Sequence, residues 1–248
     1  MNNRPQHLDD ILAAWPYEFG EASARMVQGA DGRDVLQLRV DLGLLQLETT
    51  GRPDGWRPGG LDTYYDYLVS LAFQEGPAFA LDDARCVEID REFVQFFHRR
   101  ICWLAVRNFQ RAVDDADHTL ALMDFSSSHA PETAWAEMHE QYRPFVLFHR
   151  TQAAALAELE HDKAQAAVAA IDEGIERIRS VFAEHEAEEE FEDDELAVKL
   201  REMKLAIVDH FEIKPPLAEQ LAQAIAAEQY ELAAKLRDKM SRRKRRKT

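Results

Sequence analysis

The chain reads as a mainly α protein: a helical-repeat-like bundle with a small N-terminal β-hairpin element and a C-terminal antiparallel helical hairpin. Three observations predict this. Only 10 glycines and 9 prolines are spread through 248 residues, which favours long helices over a sandwich of short strands. From Leu61 onward apolar residues recur at the three- and four-residue spacings of amphipathic helices. Upstream, one Asp-Gly pair separates two alternating apolar runs, the local mark of a β-hairpin.

The elements follow in order. Leu8 to Trp15 predicts a short helix with an irregular exit. Ala24–Gly29 and Val35–Leu42 flank Asp31-Gly32. Leu36, Leu38, Val40 and Leu42 alternate with Gln37, Arg39, Asp41 and Gly43. A third strand is possible over Leu44–Glu48. Residues 51–60, Gly-Arg-Pro-Asp-Gly-Trp-Arg-Pro-Gly-Gly, are dense in turn formers. Arg52 and Arg57 make this loop either an anion cradle or a turn packed on the helices. It matches neither the GxxxxGK[ST] nor the GxGxxG phosphate pattern. Helical segments are then expected over Leu61–Gln74, Asp90–Ala105, Val106–Met123, Thr133–Glu160 and Asp162–Glu184, the second and third reading either as two helices or as one long one. Residues 93–124 overlay 148–179 at an offset of 55: Leu104 falls on Leu159, Ala112 on Ala167 and Leu120 on Ile175. The rhythm of Ala154, Leu156, Leu159, Ala166, Ile171 and Gly174 resembles a tetratricopeptide repeat, although fewer than three units are visible. Residues 184–195 hold nine carboxylates and read as a solvated linker. A last amphipathic helix, Leu196 to Phe211, precedes Pro215-Pro216. Domain boundaries are accordingly expected at 1–60, 61–184, 185–211, 212–241 and 242–248.

Composition limits the function classes. Hydrophobic residues make up 46% and charged residues 31%, enough for a core and a hydrated surface. The net charge is −16, and setting aside the six basic residues of 242–247 leaves −22. Such a body repels nucleic acid and anionic membrane, whereas the tail attracts them. No run of about eighteen apolar residues is present, so no membrane span is expected. The first residues lack an apolar signal core, and a reducing cytoplasm is the expected location. Cys86 and Cys102 form neither a disulfide framework nor a zinc quartet. No HExxH, GxSxG or DxDxDG pattern occurs, and neither metal nor cofactor is expected. His139 and Glu140 read as helix-surface residues, and Asp114, Asp115 and Asp117 as a solvated face. His98, Arg99, Arg100 and Trp103 beside Phe93, Phe96 and Phe97 read either as a binding stripe or as a core helix with an Arg-rich outer face.

The C-terminal segment is the most specific. Pro215 breaks an incoming helix and Pro216 can open the next. Leu217, Leu221, Ala224 and Ile225 then form one stripe, and Tyr230, Ala233, Leu236, Arg237 and Met240 continue it. The small pair Ala233-Ala234 sits where two helices approach. The order L-x-x-x-L-x-x-A-I-x-x-E-x-Y-E-x-A-A-x-L-R-D-x-M resembles the UVR motif, named for the excision-repair proteins UvrB and UvrC, over residues 212–241. The motif is also similar to segments of some Clp ATPases and arginine-kinase activators; the CxxC pairs of the activators are missing here. The resemblance implies an antiparallel hairpin that pairs with another such hairpin. It implies an apolar contact by Leu217, Leu221, Ile225, Tyr230, Ala234 and Leu236. It also implies that Glu231, Arg237 and Asp238 fix turn and register. Capping of the chain's own helices is the other reading of the same segment.

Behind the hairpin runs Arg242-Arg243-Lys244-Arg245-Arg246-Lys247. This run can meet phosphates, an acidic protein surface including residues 184–195, or water alone. The expectation is a non-enzymatic adaptor that docks a protein bearing a UVR-type hairpin or a second copy of itself. The alternative is a nucleic-acid-associated accessory protein of excision repair or stress response, with weak non-specific contact through the tail. An enzyme sited at Arg52–Arg57 is a third reading.

Overall fold

The computed structural model describes residues 7–214 and 217–245; the side chains of residues 217–219, 222–223, 236 and 239–245 lie outside that description. The protein is mainly α, with a small antiparallel sheet near the N-terminus. The chain divides into two compact units, residues 1–202 and 203–248.

In the first unit, α1 (Leu8–Ala14) precedes strands β1 (Ala24–Gln28), β2 (Asp34–Val40) and β3 (Gly43–Glu48), paired in sequence order. Gly32 at φ 84° closes the β1–β2 loop, a backbone conformation that glycine adopts without steric cost. The possible third strand is present. The alternation of β2 does not leave one face to solvent, because Arg39 and Gln37 are nearly as covered as Leu36 and Leu38. The N-terminal segment lies over them: Arg39 Nε donates to the Trp15 carbonyl at 2.8 Å, and the Arg25 guanidinium sits 4.3 Å over the Trp15 ring. The other face of the sheet, Leu36, Leu38 and Leu47, packs with Cys102, Trp103, Phe109, Ala112 and Ala153.

The helices are α2 (Tyr64–Glu75), α3 (Asp83–Ala105), α4 (Phe109–His129), α5 (Thr133–Glu140), α6 (Arg143–Glu160), α7 (Ala164–Glu184) and α8 (Glu195–His210), the last running across the division. α3 starts earlier than expected because Asp82 caps it, its carboxylate accepting from the Arg85 N–H at 2.8 Å. Residues 90–123 are not one helix. Asn108 N–H donates to the Trp103 carbonyl and Arg107 N–H to that of Leu104, with Arg107 at φ 60°. This is a Schellman closure on a residue other than glycine. The α6–α7 turn repeats it at Asp162, φ 57°, with Lys163 N–H on the Glu158 carbonyl. Arg107 and Asp162 are 55 positions apart, so the offset that overlays the two sequence segments also overlays their turns. Short turns of this kind make α3–α4 and α6–α7 antiparallel hairpins. The expected helix over Thr133–Glu160 breaks at residues 141–142, and Pro144 enters the first turn of α6.

α6 and α7 approach closely at Gly174. A Cβ there would stand 1.9 Å from Thr151 Oγ1 and 2.6 Å from Thr151 Cβ. The acidic stretch 184–195 is not a bare solvated linker: Phe191 is buried within it, and the guanidiniums of Arg179 and Arg201 lie 4.8 and 5.0 Å from its ring. Among the described residues no helix is long and apolar enough to cross a membrane.

Candidate functional site

The second unit contains α9 (Leu217–Ala226) and α10 (Tyr230–Arg245). Their turn is another Schellman closure. Gln229 N–H donates to the Ala224 carbonyl at 2.8 Å and Glu228 N–H to that of Ile225 at 3.0 Å, with Glu228 at φ 56°. The backbone closes this turn, not the charged trio implied by the resemblance. Arg237 and Asp238 are sequence neighbours 3.9 Å apart on α10 and both exposed, and Glu231 is exposed in the first turn of that helix.

Among the described side chains, the seam inside the hairpin centres on two alanines. Ala224 and Ala233 are buried against each other with Leu221 packed beside them. Ile225 is 54% exposed, Tyr230 68% and Leu232 46%, and Ala234 is exposed as well. The expected apolar set therefore separates. Leu221 turns inward, Ile225, Tyr230 and Ala234 turn to solvent, and Leu217 and Leu236 have side chains outside the described residues. Leu232 was not singled out in the sequence, although its place two residues after Tyr230 was its only signal. The backbone of α10 stays helical through Arg245, and the side chains of Arg242, Arg243, Lys244 and Arg245 together with all of Arg246 and Lys247 lie outside the described residues.

The hairpin's geometry favours a contact outside itself. Each helix is short, and isolated helices of this length are marginal in water. Among the described side chains, three large apolar ones, Ile225, Tyr230 and Leu232, remain exposed on these two helices. Exposed large apolar side chains on so small a unit are available for contact with another surface.

The charged residues of the first unit are structural ties. Arg52 is fully buried, its Nη2 donating to Glu88 Oε2 at 2.8 Å and its Nε lying 3.4 Å from Asp54 and 3.7 Å from Glu92. With three carboxylates around it, this guanidinium is neutralised and does not form an anion cradle. Arg57 lies 3.5 Å from Asp62 and donates to the Thr50 carbonyl at 3.0 Å. Glu92, also fully buried, accepts from the N–H groups of Tyr64 and Tyr65 at 2.8 and 3.0 Å and contacts His118 Nε2 at 3.0 Å. A carboxylate at the N-terminus of α2 satisfies orphan donors and complements the helix dipole.

The Arg-rich outer face expected on α3 is an inner one. Arg99 makes a bidentate pair with Asp115 at 2.6 and 2.9 Å, and donates to the Gly51 carbonyl at 2.6 Å. Asp115 is thus part of the core and not of a solvated face. Arg100 donates to Thr119 Oγ1 at 3.1 Å and to His149 Nδ1 at 3.4 Å. His139 is a buried-side residue too, stacked on Phe93 and 2.9 Å from Asp90. Burial pushes the Cys102 thiol up to about 12, so it stays protonated and a poor nucleophile at neutral pH. Among the described residues no three His, Cys, Asp or Glu side chains are grouped to hold a metal ion.

Burial and the adjacent Arg100 guanidinium push His149 down to about 4. Its neutral form is favoured by folding. The resulting stability is fully present above pH about 6.5 and is lost as pH falls toward 4, because the unfolded chain binds the proton first. A loss of up to about 3 kcal/mol is expected between those limits. Urea unfolding at pH 7 and pH 4.5 measures it, and His149→Gln should remove most of the difference.

No curated protein and no solved structure matches the chain. Residues 213–245 match the family model of the UvrB/uvrC motif, so the hairpin of α9 and α10 carries a motif of protein or DNA interaction.

Proposed function

We propose that the chain is a non-enzymatic cytoplasmic adaptor that works by pairing helices. Its C-terminal hairpin docks against a second hairpin of the same kind, on another protein or on a second copy of the chain. One observation carries the reading: a two-helix unit whose described inner contacts are Ala224, Ala233 and Leu221 leaves Ile225, Tyr230 and Leu232 exposed. Laying helices together along an apolar seam is an established recognition mode. The UvrB/uvrC match supports interaction in general.

Self-pairing is tested by light scattering coupled to size exclusion. The full chain should run as a dimer and a chain truncated after Ile213 as a monomer. Monomers in both cases reject self-pairing and leave a foreign partner.

A second reading uses the tail. The α10 backbone remains helical through Arg245, so part of the basic run extends the docking helix. Contacts with phosphates would be non-specific and salt-sensitive. Duplex DNA titrated at two salt concentrations, with and without residues 242–248, tests it. Equal affinity of the two chains removes any role of the tail.

A further inference from the structure

Four arginines of the first unit are buried; Arg39 is satisfied by the Trp15 and Gly43 carbonyls, and the three most deeply buried, Arg52, Arg99 and Arg100, differ in their counter-charges. Arg52 has Glu88, Asp54 and Glu92 within 3.7 Å, and Arg99 has Asp115 at 2.6 Å. Arg100 is 1% exposed, yet its hydrogen-bond partners are the neutral Thr119 hydroxyl and His149 ring. Among the described residues no carboxylate lies within ion-pair distance of it. Buried charges are ordinarily paired, because desolvation costs several kcal/mol per ion. Burial draws the Arg100 guanidinium down to about 10 against the opposing pull of the more distant Asp115, which leaves it charged at neutral pH.

Arg100 is also where a cavity lies. Arg100 and Thr119 both line a groove of about 520 Å³ between α3, α4, α5 and α6. This volume falls in the range of small-molecule sites. The groove follows one stripe of α3 from Asp90 through Phe93 and Phe97 to Arg100, about 15 Å of helix. Its walls are predominantly apolar and aromatic, with Met123, Met138 and Phe145 opposite. Methionine adapts to varied apolar shapes. At the far end Asp90 is 2.9 Å from His139 Nε2, so the one carboxylate lining the groove is engaged there and lies a helix-length away from Arg100.

We propose that this groove binds an amphipathic monocarboxylate, a medium-length unbranched acyl chain whose carboxylate pairs with Arg100 while the chain lies along Phe97 and Phe93. The ligand's carboxylate supplies the missing counter-charge, and its apolar body fills the groove. A fully apolar ligand leaves Arg100 unpaired, and a cationic one is repelled by it.

The test is calorimetric titration of the full chain with decanoate, decanol and decylamine at pH 7. Decanoate should saturate with one site and bind roughly ten-fold or more tighter than decanol, and decylamine should not bind. Arg100→Met replaces the buried charge with an apolar chain of similar length, a change often tolerated in cores. It should abolish the preference for decanoate over decanol. Met138→Trp alters a half-exposed position and should keep the fold while filling the groove, so decanoate binding should fall at least ten-fold. Absence of saturable decanoate binding overturns the proposal and leaves a docked peptide helix as the groove's occupant. A folded Arg100→Met variant that keeps the decanoate preference overturns it too. If Arg100→Met fails to fold, undiminished decanoate binding by Met138→Trp rejects the site.

Discussion

Glu92→Ala is expected to destabilise the protein by about 3–5 kcal/mol, the cost of breaking a buried, hydrogen-bonded ion cluster. The substitution leaves the Tyr64 and Tyr65 N–H groups without their acceptor, and it removes one of the carboxylates that neutralise the fully buried Arg52. The loss propagates because Arg52 also holds Glu88 and Gln95 and thereby fastens the 51–60 loop to α3. A domain stable by about 5–15 kcal/mol is brought near its limit. Glu92→Gln keeps one carbonyl acceptor and should cost less, about 1–3 kcal/mol, mainly the lost charge pairing with Arg52 and His118. Urea denaturation of the three chains measures both values, and near-wild-type stability of Glu92→Ala would remove Glu92 from its place as the tie between α2 and α3.

The second large effect is set at Gly174, and its sign is the informative quantity. In an exposed helix interior Gly→Ala gains about 1 kcal/mol from propensity. Here the new methyl carbon would stand 1.9 Å from Thr151 Oγ1 and 2.3 Å from Thr151 Cγ2. Thr151 is buried and cannot swing away. Gly174→Ala should therefore destabilise by about 1–3 kcal/mol or more, the range for overpacked cores. Thr151→Ala gives only partial relief, since the Thr151 Cβ itself would be 2.6 Å away. Thr151→Gly in the Gly174→Ala background should restore most of the loss, with a coupling energy that a double-mutant cycle reads directly. Additive effects would mean that α6 and α7 do not meet there.

The elements legible in the sequence were those with local signatures. Asp31-Gly32 marks a turn because glycine tolerates positive φ, and the observed Gly32 sits at 84°. The mainly α class, the β-hairpin element and the C-terminal hairpin follow from periodicity and from the spacing of apolar residues around Ala224 and Ala233. The breaks between helices were harder to read. Arg107, Asp162 and Glu228 adopt left-handed φ although none is glycine, so composition does not announce the turns they close. The offset of 55 was the indirect signal for the first two.

Burial of charge was invisible from the pattern. Arg99, Arg100 and Glu92 fall at positions that read as polar helix surface, and segments distant in sequence make them interior: the sheet, the 51–60 loop and α4 for Arg99, α4 and α6 for Arg100, and the start of α2 for Glu92. His139 reads as a surface residue for the same reason, since Phe93 and Asp90 come from a segment some fifty residues away in sequence. Phe191, a lone aromatic in an acidic run, carried a signal that net charge concealed. At the hairpin the apolar spacing identified the helices but not which side chains pair within it. Ala224 and Ala233 meet inside it, whereas Ile225 and Tyr230 face solvent.

The most direct test of hairpin docking is a quantitative affinity capture with three tagged baits: the full chain, the Leu221→Asp/Tyr230→Asp variant and the chain truncated after Ile213. The prey is lysate that also contains a second, differently tagged copy of the full chain. Loss of the same captured proteins, or of the second copy, from both altered baits is expected, with circular dichroism confirming that the first unit remains folded. An identical set captured by all three folded baits would contradict docking through the hairpin.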